Sequence, residues 1–242
     1  MDLAGYVALT RQSGLARELQ SVANNIANLS TTGYRREGVV FAEMVEALPA
    51  EGGSVAMTEA RARFTDTLQG ALAETGGTLD FAIEGEGYFT VLTPAGERLT
   101  RAGAFTRDAD GQVVTMDGAP LLDEGGGTIL IPFETRSIGL APDGTLSVDG
   151  VPNARIGLVV VEDPTTLFRE AGTLFRAEAE TVPVEERDAK IVQGFLEQSN
   201  VNPVEEIARM ILVQRAYEYG QKLLDQEDDR ISQTVSTLGK PA

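Results

Sequence analysis

Cysteine, histidine and tryptophan are all missing from the 242 residues. Without thiols and imidazoles the chain has no disulfide, no cysteine nucleophile, no imidazole base and almost no route to a zinc site. A cysteine-free chain also suits work outside a reducing compartment, where stray thiols mispair, although many cytosolic domains share that composition. Aromatic residues make up only 6%, which leaves little material for stacking platforms. Basic residues are scarce too: 20 Lys and Arg stand against 37 Asp and Glu, a formal net charge of -17. Phosphate backbones require a Lys/Arg footprint, and the close basic pairs here, Arg35-Arg36 and Arg61/Arg63, are not patches with interleaved aromatics. Nucleic acid is therefore not an expected partner, and the acidity reads as a solvated surface.

Long apolar runs are absent as well. The longest, Ile156 to Val161, is far below the ~20 residues that a membrane-spanning helix needs. No apolar segment of the kind found in cleaved secretory signals follows the first basic residue, Arg11. Neither direct membrane insertion nor signal-peptide export is expected, and a signal-independent export route stays open.

Two seams at opposite chain ends are what the sequence does contain. Residues 3–29 read as a helix in which Leu15, Leu19, Val22, Ile26 and Leu29 are spaced 4, 3, 4, 3, the interval of a heptad seam. Gly33 suits the left-handed position that ends a helix. At the other end, Asn202 can cap, Pro203 fits the first helical position and Glu205 can reach back to the cap. From there Ile207, Met210, Gln214, Tyr217, Gln221, Leu224, Asp228, Ile231, Val235 and Leu238 keep the same 3-4 spacing. Gln214, Gln221 and Asp228 share one heptad position, where a polar residue sets register at a cost in stability.

Between the seams the pattern changes to short apolar runs broken by Asp-Gly pairs at 110–111, 117–118, 143–144 and 149–150, which read as antiparallel turns. Gly125-Gly126-Gly127 precedes an expected strand, Thr128–Ile131. No strand–helix alternation suggests a parallel sheet. The expected class is α+β: long N- and C-terminal helices forming a coiled-coil-like layer, with a central all-β domain. The boundaries expected are 1–36 for the first helix, 37–79 for a connecting arm that is either helical or extended, 80–184 for the β domain, 185–202 for a return segment and 203–242 for the last helix.

Several motifs invite sharper readings. Asn24, Asn25 and Asn28 are poor helix formers and either bridge to neighbouring helices or mark a fraying helix end. Asp108-Ala109-Asp110-Gly111 opens like a calcium loop but lacks the later ligands, so a plain turn is preferred. Gly85-Glu86-Gly87 has Thr90 where a dinucleotide fingerprint needs its third glycine, and reads as a bend before a strand. Carboxylate pairs such as Glu84/Glu86 occur without a cleft context. No catalytic, cofactor or metal residues are assigned.

Taken together, the motifs resemble one family. Ala23-Asn24-Asn25-Ile26-Ala27-Asn28 with Ser30–Arg35, then Gln69–Leu72 with Leu79–Phe89, then Thr100–Thr106, and finally Gln193-Gly194, Ser199–Glu205 and Gln214–Glu218 follow, in order, the signatures of flagellar basal-body rod and hook proteins. Within that family the proximal-rod members are the nearer resemblance and the distal-rod members the next. Gly77, Tyr34 and Tyr88 depart mildly from the pattern, and residues 120–184 carry little of it. The resemblance implies a non-enzymatic structural subunit of the periplasm-spanning rod, delivered by the flagellar type III export apparatus and assembling helically with itself and homologous rod proteins. It implies a subunit interface at Leu15, Leu19, Val22, Asn24, Asn25, Ile26, Asn28, Leu29, Asn200, Asn202, Ile207, Met210, Gln214, Tyr217, Gln221 and Leu224. The alternative is a cell-wall glycan-binding or hydrolytic module whose helices only dimerise it.

Overall fold

The structure is a computed structural model and describes residues 3–47, 54–184 and 189–238. It is α+β, with one helix near each end and β structure between. Its contacts gather into two compact units. The first takes residues 1–27, 37–64 and 202–242; the second takes 28–36 and 65–201.

The helical unit contains α1 (Leu3–Ala27), β1 (Glu37–Ala47), β2 (Ser54–Thr65, which ends one residue inside the second unit) and α2 (Pro203–Leu238). α1 stops two residues before the expected end. At ~1.5 Å per residue, α1 is about 37 Å long and α2 about 54 Å. The start of α2 follows its sequence signals: Asn202 Oδ1 accepts from the backbone N–H groups of Val204 (3.1 Å) and Glu205 (3.4 Å). Glu205 closes the cap through Asn202 Nδ2 at 3.0 Å instead of through the backbone. The segment left open between helix and arm is a two-stranded β ribbon, β1 beside β2.

Among the described residues, fifteen further strands build the β body. They are β3 (Leu72–Glu74), β4 (Phe81–Gly85), β5 (Tyr88–Thr93), β6 (Gly96–Thr100), β7 (Phe105–Arg107), β8 (Val113–Thr115), β9 (Ile138–Leu140), β10 (Thr145–Val148), β11 (Val151–Arg155), β12 (Leu158–Val161), β13 (Leu167–Ala171), β14 (Leu174–Ala177), β15 (Thr181–Pro183), β16 (Ala189–Gln193) and β17 (Phe195–Glu197). The largest sheet runs β13-β14-β6-β5-β12-β15, and its pairings are antiparallel. The glycines of all four Asp-Gly pairs take positive φ, which the backbone of a tight antiparallel turn requires. Asp108 Oδ1 accepts from the N–H groups of Asp110 and Gln112 at 2.9 and 2.8 Å, so that motif is a turn closed on itself.

Thr128–Ile131 does not form the expected strand. Thr128 and Leu130 make only isolated bridges, to Leu122 and Gln112. Their side chains nevertheless alternate, with Ile129 and Ile131 buried and Leu130 exposed. The period was right, but the segment divides its backbone bonds between residues 111–113 and 121–123, so neither pairing extends into a ladder.

The core is one cluster around Phe81, Phe89, Phe105, Leu121, Ile131 and Ile191. Phe89 and Phe105 meet edge to face, with ring centroids 5.5 Å apart, the arrangement aromatic quadrupoles favour. A smaller cluster of Tyr88, Leu99, Val161, Leu167 and Phe175 lies beside it. Leu121, Leu122, Leu146 and Phe175 all come from residues 120–184, where the sequence alone offered few motifs.

Candidate functional site

In the helical unit α1 and α2 pack antiparallel. The Glu18 carboxylate accepts from Arg209 Nε at 2.6 Å and Nη2 at 2.5 Å. Gln12 Nε2 donates to the Tyr217 carbonyl at 2.9 Å. Gly220 makes room for this contact, since a Cβ there would stand 2.9 Å from the Gln12 amide. Asn25 Nδ2 donates to Glu206 Oε2 at 3.2 Å and to the Glu37 carbonyl at 2.8 Å, and Asn25 Oδ1 accepts the Glu37 N–H at 2.9 Å. Ser21 Oγ donates to the same carbonyl at 3.1 Å. Asn25 therefore satisfies its amide inside the chain. It is buried in the turn between helix and ribbon, where the Glu37 backbone needs partners. Asn24 and Asn28 also have partners within the chain, Gln20 at 3.2 Å and Thr31 at 3.0 Å.

Replacing Asn25 with Ala leaves the Glu37 N–H and C=O without this partner in a buried position. The expected loss is about 1–3 kcal/mol, read as faster hydrogen exchange at the Glu37 amide and in the last turns of α1. Unchanged exchange there would remove the amide from its assigned role.

In the β body, Glu197 is 1% exposed and lies between two buried guanidiniums. Its Oε1 is 2.8 Å from Arg35 Nη2 and its Oε2 is 3.2 Å from Arg101 Nη1. Glu197 Oε1 also accepts the Gly70 N–H at 2.9 Å, and the Glu197 carbonyl accepts the Gly33 N–H at 2.8 Å. Arg35 Nη1 donates to the Leu68 carbonyl, and Arg101 Nη2 donates to the Gly85 carbonyl at 2.8 Å. Burial pulls the Arg101 pKa down from its usual value, and Glu197 opposes the shift. Burial raises the Tyr88 phenol, with Arg35 and Arg101 opposing.

Gly33 has φ +66° but does not end α1, contrary to expectation. It is required by a close approach, since a Cβ there would lie 2.3 Å from the Ala102 nitrogen. Asn200 completes the cluster. Its Oδ1 accepts the Arg36 N–H at 2.6 Å, and its Nδ2 donates to the carbonyls of Leu68 (2.9 Å) and Asp66 (3.2 Å). Arg169 lies 4.3 Å from the Tyr34 ring centroid and 4.6 Å from that of Phe175, and donates to the Arg35 carbonyl at 2.5 Å.

The expected seams sit at the margin of the helix pair. On α1, Val22 is buried, while Leu15, Leu19, Ile26 and the following Leu29 are half-buried. On α2, Met210, Tyr217 and Leu224 are half-buried, whereas Ile207, Gln214, Gln221 and Asp228 are exposed. The residues turned inward are one position earlier: Glu206 and Val213 are buried, and Gly220 and Glu227 half-buried. The Gln214 and Gln221 amides donate along the helix, to Glu218 and to the Tyr217 hydroxyl, each at 3.1 Å. The side chains of Val235 and Leu238 lie outside the described residues. Sequence reading missed the Glu18–Arg209 pair and the Arg35–Glu197–Arg101 cluster. The signal available for the cluster was a single charge, Arg101 or Glu197, inside an apolar or glycine-rich motif; Arg35 stands in a charged run and gave none.

The comparisons with known proteins agree along the chain. Residues 6–35 match the flagella basal body rod protein family, residues 82–148 the flagellar hook protein FlgE/F/G D1 domain, and residues 192–237 the flagellar basal body rod FlgEFG protein C-terminal family. The flagellar basal-body rod protein FlgF of Caulobacter vibrioides is 42% identical, with 99% of each chain covered. FlgF of Rhizobium meliloti is 36% identical over 99% of each chain. The flagellar basal-body rod protein FlgG of Bacillus subtilis is 31% identical, covering 96% of this chain and 97% of its own. On these matches the chain belongs to the flagellar basal-body rod protein family, resembles FlgF more strongly than FlgG, and is a structural subunit of the rod, not an enzyme.

Proposed function

We propose that the chain builds the rod by packing its terminal helices against those of other copies and of homologous rod proteins, in a coiled-coil-like layer, after passage through the flagellar export apparatus. The observation that carries this reading is the outward face of α2. Ile207 is 51% exposed, Leu212 64% and Leu223 58%, with Val204, Ile211, Tyr219 and Ile231 exposed beside them. Single exposed apolar residues are ordinary, but this many along one helix mark an interaction surface. Leu15, Leu19 and Ile26 supply a complementary half-buried stripe on α1. Met210, Tyr217 and Leu224 stand where the internal pairing meets the proposed external one. Asn25, Asn200 and Asn202 contribute by holding these helices and their connections in place.

The test is removal of the gene followed by complementation. Cells lacking this chain should be non-motile with rods that stop short in electron micrographs, and the wild-type gene should restore both. Complete rods in its absence would reject the reading.

Gln214 and Gln221 continue the 3-4 spacing of Ile207 and Met210, and in this reading they reject shifted pairings at a cost in strength. Changing both to Leu should increase self-association of the purified chain in sedimentation velocity and reduce rod completion in cells. No gain in self-association would mean that these amides are only wetted.

A further inference from the structure

Arg35, Arg101 and Glu197 set two positive charges against one negative, and all three are buried. Arg35 Nε and Arg101 Nε have no hydrogen-bond partner among the described residues, so the single carboxylate leaves both charge and donors over. The excess is felt at Tyr88, itself buried. Burial raises its phenol; Arg35, Arg101 and Arg169 each oppose that shift, and Glu197 alone reinforces it. In a chain with a formal net charge of -17 this is a local reversal of sign. Tyr88 and Arg101 line a cavity of about 110 Å³ whose wall continues over Val161 and Leu167. Those two side chains are buried, whereas Thr67 and Glu86, also in the lining, are exposed. All of these residues belong to the β body.

We propose that this cavity binds a short aliphatic carboxylate, its charged end against Arg101 and the Tyr88 hydroxyl and its hydrocarbon part against Val161 and Leu167. An apolar cavity of about 150 Å³ holds benzene, so this one holds about five heavy atoms. That is the size of propionate, and of a glutamate side chain beyond its Cα. Arg101 left water when the chain folded, so an incoming anion loses only its own hydration before it meets the guanidinium. The apolar wall favours an acid with a hydrocarbon tail over phosphate or chloride, which have none. Glu86, exposed in the lining, opposes the ligand's charge and limits its affinity. The same chemistry is offered by a free acid and by a glutamate side chain of another protein chain. The site lies in the β body and goes beyond assembly through the helices, on which it does not depend.

The test is a titration of the full chain at low concentration with sodium propionate, replacing sodium chloride at constant ionic strength. The NMR shifts of the Tyr88, Val161 and Leu167 amides should move and saturate with a Kd on the order of 1 mM, within the ceiling for so few atoms. Glu86→Gln should tighten binding about two-fold or more by removing the opposing charge. Thr67→Trp should obstruct the cavity and abolish saturation. Both substitutions are at exposed positions, and an unchanged Phe81 amide shift shows that the β body is still folded. Glutamate blocked at both backbone ends separates the sources. Affinity equal to or tighter than that of propionate marks a side chain of another protein; affinity ten-fold weaker or less marks a free acid. Shifts that grow linearly without saturating, equal propionate affinity in all three chains, or tighter binding of inorganic phosphate than of propionate overturns the proposal, whether or not the chain assembles into rods.

Discussion

Glu197→Ala is expected to destabilise the β body by about 3–5 kcal/mol, the range measured when one member of a buried ion pair is removed. Arg35 and Arg101 are 1% and 4% exposed. Without the carboxylate they become two like charges held out of water, and the N–H of Gly70 loses its acceptor. Urea unfolding should show the loss as a lower midpoint with little change in slope. Replacing all three members with apolar residues of similar volume should recover much of it, because the desolvation of three charged groups is removed together with their attraction. A loss in the single variant no larger than that of a surface ion pair, below about 1 kcal/mol, would mean that the cluster is hydrated and contributes little.

Ile207→Asp is expected to abolish assembly while leaving the monomer folded. Ile207 is about half exposed in the single chain, so a carboxylate there meets water and costs the monomer little. In the assembly proposed here the same position is covered, and a buried unpaired carboxylate costs several kcal/mol, on the order of what separates firm from negligible association. Motility and rod length read the assembly; thermal unfolding of the purified chain reads the fold. Normal motility would place Ile207 outside every contact. Val213→Asp should fail in the opposite order, losing the helix pair first, because Val213 is 4% exposed within the chain.

The contrast between Ile207 and Val213 shows where sequence reading succeeded and where it could not. A 3-4 repeat gives the existence of a helix seam and the side of the helix on which it lies. Neighbouring residues 206 and 207 differ by only ~100° about the axis, so the repeat alone does not say which flank faces the chain's own partner helix and which faces another subunit. Both flanks of α2 are covered in the reading proposed here, and the apolar repeat records their union. Local signals fared better. The Asn202 cap and the four Asp-Gly turns each depend on residues within a few positions, and each was legible.

The buried ion cluster was not legible from the sequence. Arg35, Arg101 and Glu197 all stood in recognisable motifs, but charged residues are solvated by default, and nothing in a linear sequence pairs position 35 with 197. Gly33 illustrates the same limit. Its need for a positive φ was inferred correctly, but the reason proved to be the Arg101–Ala102 backbone, not a helix end. The ribbon strands Glu37–Ala47 and Ser54–Thr65 gave no periodic signal that separates a strand from a helix, because their short stretches of mixed small and charged residues fit both.

The central claim is that this subunit joins the rod through the outward face of α2 and the leucine stripe of α1. A density map of basal bodies isolated from cells that make this chain tests it most directly. The account predicts the chain within the rod, with Ile207, Ile211 and Leu212 and the Leu15/Leu19 stripe against helices of neighbouring subunits, and the Arg35–Glu197–Arg101 cluster intact. A map in which the chain occupies the rod but the α2 apolar face lies against open solvent, or in which the chain is absent from the rod, would contradict it.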